Sequence, residues 1–323
     1  MTDPAPPDPD QLDDPAEVLS PIPGELLGPP PKDKPDAVRN LEQRNRWAQV
    51  AWPALQRFKV ANATLMAGGT AYYAFVAMFS LLAFAYGVTT LLSADSVADW
   101  MTRALEEALP GLVGDQGIDP ATLERIGRTS SVVGLVLLAV SGSAVMVAAS
   151  NSLRHIYGAG PDGRNPAARR LHLIRWLAVL GPLVVASYTL STAVGGFGTD
   201  LLERWGIDNL VTQRLVLIAA FAATLALDVG IMALLLGRLG GIRPPTRALV
   251  IGSVIGAVVI TLLKQLMATI VAWSADKPQY GSFALPIAVM VVLWMQSTVL
   301  YAAACITAGA AEVVGEAPEP DDT

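Results

Sequence analysis

The sequence predicts an all-α membrane protein, a polytopic helical bundle with six transmembrane helices, accompanied by short amphipathic interfacial and extracytoplasmic helices. Three observations predict it. Only 15% of the 323 residues are charged, 53% are hydrophobic, and mean hydropathy is +0.47, whereas ordinary soluble domains carry roughly 25% charge. Six stretches contain one charged residue or none, each reaching the ~20 residues a helix needs to cross the hydrocarbon layer. These stretches run continuously apolar, unlike the alternating strands of a membrane β-barrel.

Residues 1–36 contain eleven prolines among Asp, Glu and Lys and show no apolar period. Such a segment buries too little surface to offset its ordering entropy, so it reads as a disordered cytoplasmic tail. It also lacks the basic-then-apolar pattern of a secretory signal. Residues 37–59 intersperse Val38, Leu41, Val50, Leu55 and Phe58 with Arg and Gln, alongside Trp47 and Trp52. That composition suits an amphipathic helix lying in the inner interface, with Pro53 expected to break or bend it.

The six-span domain covers residues 60–312. Its uncharged runs are 60–92, 129–153, 176–199 and 278–311; the runs 215–237 and 248–275 each hold one ionisable residue, Asp228 and Lys264 respectively. Pro182 and Pro286 are expected kinks. Between the first two spans, residues 95–109 place Val97, Met101, Leu105 and Ala108 on one helical face and Asp99, Glu106 and Glu107 on the other, as expected of an external amphipathic helix. Residues 313–323 form a second disordered tail.

Alternate loops differ in basic content. Residues 37–59, with the second and fourth loops, hold thirteen Lys and Arg, against six in the remaining loops. The richer set is expected to face the cytoplasm, putting both termini on the cytoplasmic side of the membrane. The single cysteine, Cys305, excludes an internal disulfide, and with two histidines a zinc site is poorly supplied. No metal, no cofactor and no enzymatic activity are expected. Gly195-Gly196-Phe197-Gly198 lacks the Lys and Ser/Thr of a phosphate-binding loop.

Several segments resemble one family. The first span reads Ala67-Gly68-Gly69-Thr70-Ala71-Tyr72-Tyr73-Ala74-Phe75, the second ends in Asn151-Ser152-Leu153-Arg154-His155-Ile156-Tyr157, and the last opens with Tyr280-Gly281-Ser282-Phe283-Ala284-Leu285-Pro286 and runs on to Trp294. Together they resemble the YihY/BrkB family of bacterial inner-membrane proteins over about residues 40–312. Tyr280, Gly281 and Trp294 carry the most specific part, then Tyr72 and Tyr73. Two departures stand out. Ala77 and Ser80 occupy places where the family usually has Ser and Pro, and its Gly-Ala-Glu corresponds to a shifted Gly309-Ala310-Ala311-Glu312. The resemblance implies a six-helix bundle and a role in exporting or flipping lipids or other envelope substrates. The family's former ribonuclease label implies nuclease chemistry, which would need a metal or an acid–base constellation. The loop 154–175, holding both histidines, has one carboxylate, Asp162. No nucleic-acid partner is expected.

Ionisable residues inside a span usually face a cavity or a partner, so Asp228 and Lys264 are the first site candidates. Counted along ideal helices from Gly237 and Thr246, their depths differ by ~13 Å. That distance is too great for a direct ion pair unless a helix is broken or shifted, and Lys264 has the alternative of snorkelling to the outer interface. Asn151, Gln265 and Gln296 are neutral polar groups that would either bond between helices or form a polar seam for a headgroup. Arg154, Arg164, Arg169, Arg170 and Arg175 crowd one inner loop, and would either mark topology alone or contact anionic lipid. Gly252 and Gly256 form a small-xxx-small pattern, expected either to pack the bundle or to build a homo-oligomer face. Membrane lipids are the expected partners.

Overall fold

The structure, a computed structural model, describes residues 46–91, 120–160, 165–195, 210–275 and 284–315. Both tails, the segment 95–109, Arg164, Tyr280 and Gly281 lie outside the described residues. Seven α-helices account for nearly all of what is described: α1 (Arg46–Val60), α2 (Ala63–Leu91), α3 (Pro120–Ile156), α4 (Pro166–Gly195), α5 (Leu210–Leu234), α6 (Thr246–Ala275) and α7 (Ala284–Gly315). No strand occurs among the described residues. Six of these helices, α2 to α7, are long and apolar enough to cross a membrane.

Each helix starts or stops for a local reason. Asn62 adopts a left-handed backbone (φ 50°), a conformation that asparagine tolerates better than most residues. Its carbonyl accepts the Leu65 and Met66 amides, turning α1 into α2. At the end of α3, Gly158 (φ 71°) permits paired bonds from Gly158 N–H to His155 O and from Ala159 N–H to Arg154 O, the glycine-dependent closure of a helix C-terminus. α5 ends in a π-helical turn, Leu235–Leu239. α1 winds on through Pro53 and α4 through Pro182, so Pro53 does not break its helix. Pro286 lies in the first turn of α7, where a missing N–H costs nothing, so it is no mid-span kink.

The helices pack in sequence order, each spanning helix against the next, and α7 closes back onto α2. α7 also crosses to α3, and α1 lies along α7. Small residues make these approaches possible. A Cβ on Gly309 would stand 2.9 Å from the Val50 carbonyl oxygen of α1, and one on Gly252 would stand 2.8 Å from the Ala303 carbonyl oxygen of α7. The pattern Gly252–Gly256 is therefore consumed by packing inside the bundle. The interior is rich in Ala, Ser and Thr, while Leu65, Leu215, Ile218 and Leu262 stand on the outside, Leu65 at 79% exposure. Large apolar side chains turned outwards from spanning helices are what a hydrocarbon solvent favours.

Candidate functional site

The hairpin of α5 and α6 is pinned along its length by three contacts. A Cβ on Gly237 would lie 3.0 Å from Leu249 Cδ2, and one on Gly256 would lie 2.2 Å from Met232 Cε. Thr261 Oγ1 donates to Asp228 Oδ2 at 2.8 Å. In that register Lys264 sits about one helical turn beyond Asp228, roughly 6 Å along the axis, rather than ~13 Å. The sequence-based estimate treated Gly237 and Thr246 as level. In fact α5 continues past Gly237 through its π turn, and α6 begins further towards the hairpin end. Each Cβ also tilts towards its own helix N-terminus, so on antiparallel neighbours the two side chains lean towards one another. Lys264 Nζ reaches Asp228 Oδ1 at 2.6 Å. The pair is direct, and Lys264 does not snorkel to the outer interface.

Four helices supply the surroundings of this pair. From α4, Ser187 Oγ donates to Asp228 Oδ1 at 2.5 Å and accepts from Lys264 Nζ at 2.7 Å. The ammonium also lies 4.7 Å from the centroid of the Tyr188 ring, within cation–π range. From α7, Gln296 Nε2 donates to the Tyr188 hydroxyl. The Asp228 and Lys264 side chains are 3% and 4% exposed. A buried charge pair is tolerable only with close geometry and satisfied lone pairs, and here the carboxylate accepts three donors.

The other sequence candidates are dispersed. Gln296 joins the cluster, but Gln265 is exposed on α6 and Asn151 is exposed at the end of α3, where it accepts from Arg169. Of these neutral polar groups only Gln296 therefore joins the buried cluster of Asp228 and Lys264. Arg154 is half-buried and donates to Gly160 O at 3.0 and 2.7 Å and to Gly240 O at 2.9 Å, so it ties two loops together. Arg170 Nε donates to Ser143 Oγ at 3.4 Å, and Arg175 is exposed. His155 is exposed, while His172 Nε2 accepts from Trp176 Nε1 at 3.1 Å.

A second ion pair joins the helix ends. Arg57 Nε donates to Glu312 Oε1 at 2.9 Å and Arg57 Nη1 donates to Ile156 O at 3.2 Å, linking α1, α3 and α7.

A family model described as Virulence factor BrkB matches residues 54–322. The chain belongs to the BrkB family. No curated protein and no solved structure matches it.

The residues that carried the resemblance to the BrkB family hold different positions in the bundle. Tyr72 and Tyr73 are exposed on α2, their rings edge-to-face with centroids 5.6 Å apart. Trp294 Nε1 donates to the Thr64 carbonyl at 3.2 Å, binding α7 to the start of α2. Glu312, shifted by one residue from the family pattern, is the partner of Arg57. Sequence reasoning missed Ser187, Tyr188 and Thr261. Hydroxyls in apolar spans usually bond back to their own helix, as Thr189 and Thr307 do here, so these carried no distinguishing signal.

Proposed function

We propose that this BrkB-family chain is a transporter rather than an enzyme, moving or flipping an envelope lipid or related amphiphile across the bacterial cytoplasmic membrane. The supporting observation is the Asp228–Lys264 pair, buried between α4, α5 and α6. Each ionisable group in a span costs roughly 2.5–3.5 kcal/mol on insertion scales. Apolar residues of similar volume would hold the same helices without that cost, so packing alone does not account for the pair. A headgroup phosphate or carboxylate offers Lys264 the same acceptor chemistry as Asp228. Exchanging one for the other would release α5 from α6 and open a polar path, and re-forming the pair would close it. On this reading both termini are cytoplasmic.

The test is reconstitution. Vesicles containing the full chain and a fluorescent phospholipid analogue should equilibrate the analogue between leaflets faster than vesicles containing the folded Asp228→Asn/Lys264→Gln protein. Equal rates would exclude transport through this site.

One observation favours a second reading, a non-transporting scaffold of the envelope: the cluster is buried, with the carboxylate already accepting three hydrogen bonds. That reading predicts no lipid movement and protein partners that co-purify.

A further inference from the structure

Away from the ion pair, a groove of about 610 Å³ opens where α1 turns into α2 against α7, lined by residues that include Lys59, Asn62, Thr64, Leu65, Gly68 and Trp294. Its chemistry is divided. Lys59 is the one charged residue in the lining and Asn62 beside it is polar, both of them exposed. Leu65, Gly68 and Trp294 form an apolar continuation, and the Trp294 ring is held as a wall by its bond to Thr64 O. A Cβ on Gly68 would come no closer than 4.0 Å to any neighbour, the Trp294 ring, so the groove is open at that position. The polar end lies at the level of helix termini. Arg57, two residues before Lys59, contacts Glu312 and Ile156 at the ends of α7 and α3. Beyond the groove, α2 continues with Tyr72 and Val76 exposed, and α7 with Val291 and Ile287.

We propose that this groove binds one anionic phospholipid, its phosphate on Lys59 and Asn62 and an acyl chain along Leu65 and Trp294. A positive, polar mouth at headgroup level joined to an apolar track matches a ligand that is itself anionic at one end and apolar along its length. No carboxylate lines the groove among the described residues to repel the phosphate. This inference rests on the membrane location and not on transport, since a resident lipid is held whether or not the protein moves others. Failure of the flipping assay therefore leaves it standing.

Native mass spectrometry of the full-length, delipidated protein, titrated with phosphatidylglycerol or phosphatidylcholine, tests it. One phosphatidylglycerol should be retained per chain in preference to phosphatidylcholine. Lys59→Ala should weaken that retention about fivefold, the weight of one basic residue near an anionic headgroup, while Lys59→Arg should preserve it. Gly68→Leu, which fills the open position, should remove it. Equal binding of the two lipids, or Lys59→Ala indistinguishable from the unaltered chain, would mean annular lipid only and overturn the proposal.

Discussion

Lys264 and Asp228 neutralise each other inside the bundle, Nζ lying 2.6 Å from Oδ1 with both side chains buried. The geometry makes each charge the other's main compensation, because the remaining partners, Ser187, Thr261 and the Tyr188 ring, are neutral. Removing one member therefore does not simply delete a contact. It leaves a charge stranded in a medium that solvates it poorly.

Single and double substitutions should consequently diverge. Asp228→Ala is expected to destabilise the detergent-solubilised protein by about 3–5 kcal/mol, the cost of an uncompensated buried charge. Asp228→Leu combined with Lys264→Met should recover most of that loss, since neither charge then remains. Thermal unfolding followed by circular dichroism gives the comparison, and a double variant as unstable as Asp228→Ala would contradict it. The recovered double variant is also the control for transport, because it separates loss of folding from loss of function.

The Arg57–Glu312 pair should behave asymmetrically. The Arg57 side chain is 6% exposed and that of Glu312 is 34% exposed, so water can take over from a lost arginine more readily than from a lost glutamate. Glu312→Ala, which strands the guanidinium beside Ile156 O, is expected to cost about 1.5–3 kcal/mol, the range for hydrogen bonds to charged groups. Arg57→Met keeps the apolar stem in place and should cost less. Melting temperatures of the two variants in the same detergent decide the order.

The glycines of α6 and α2 should separate sharply under the same substitution. At Gly252 a Cβ would stand 1.9 Å from Thr307 Oγ1 and 2.8 Å from the Ala303 carbonyl oxygen, and backbone does not give way. Gly252→Ala should therefore destabilise by about 1–3 kcal/mol, as overpacking does. At Gly256 the nearest atom is the far end of Met232, at 2.2 Å, which can swing away, and Ala303 Cβ at 2.8 Å is the one rigid obstacle, so Gly256→Ala should also destabilise, but by less than Gly252→Ala. Gly69→Ala meets nothing within 4 Å and should be neutral or stabilising through helix propensity. Unfolding curves for the three variants test this ranking.

The fold was legible in the sequence because hydrocarbon imposes one strong condition, long runs almost without charge, and all six runs became helices able to span. Depth along a helix was legible as well, but the register between neighbours was not. Asp228 and Lys264 meet only because α6 begins beyond the level of Gly237, a consequence of a π turn and a linker that carry no length signal. Which polar groups converge was hidden for the same reason. Gln265 adjoins Lys264 in sequence yet faces outwards, since one residue along a helix turns the side chain by about 100°. Arg57 and Glu312 stand 255 residues apart, and no local pattern announces their contact.

Orientation is the remaining consequence of the charge distribution. The hairpin linker between α5 and α6 carries Arg243, and the turn after α3 lies near Arg154 and Arg169. If the basic loops stay on the cytoplasmic side, both belong there. Cys305 is buried, so a Cys305→Ala background removes the one native thiol with little change in packing volume. Within it, cysteines introduced at Gly160 and Thr246, both exposed, should resist a membrane-impermeant maleimide in intact spheroplasts and react after permeabilisation. Labelling of Gly160→Cys in intact spheroplasts would reverse the assigned sides, and with them the leaflet in which the Lys59 groove opens.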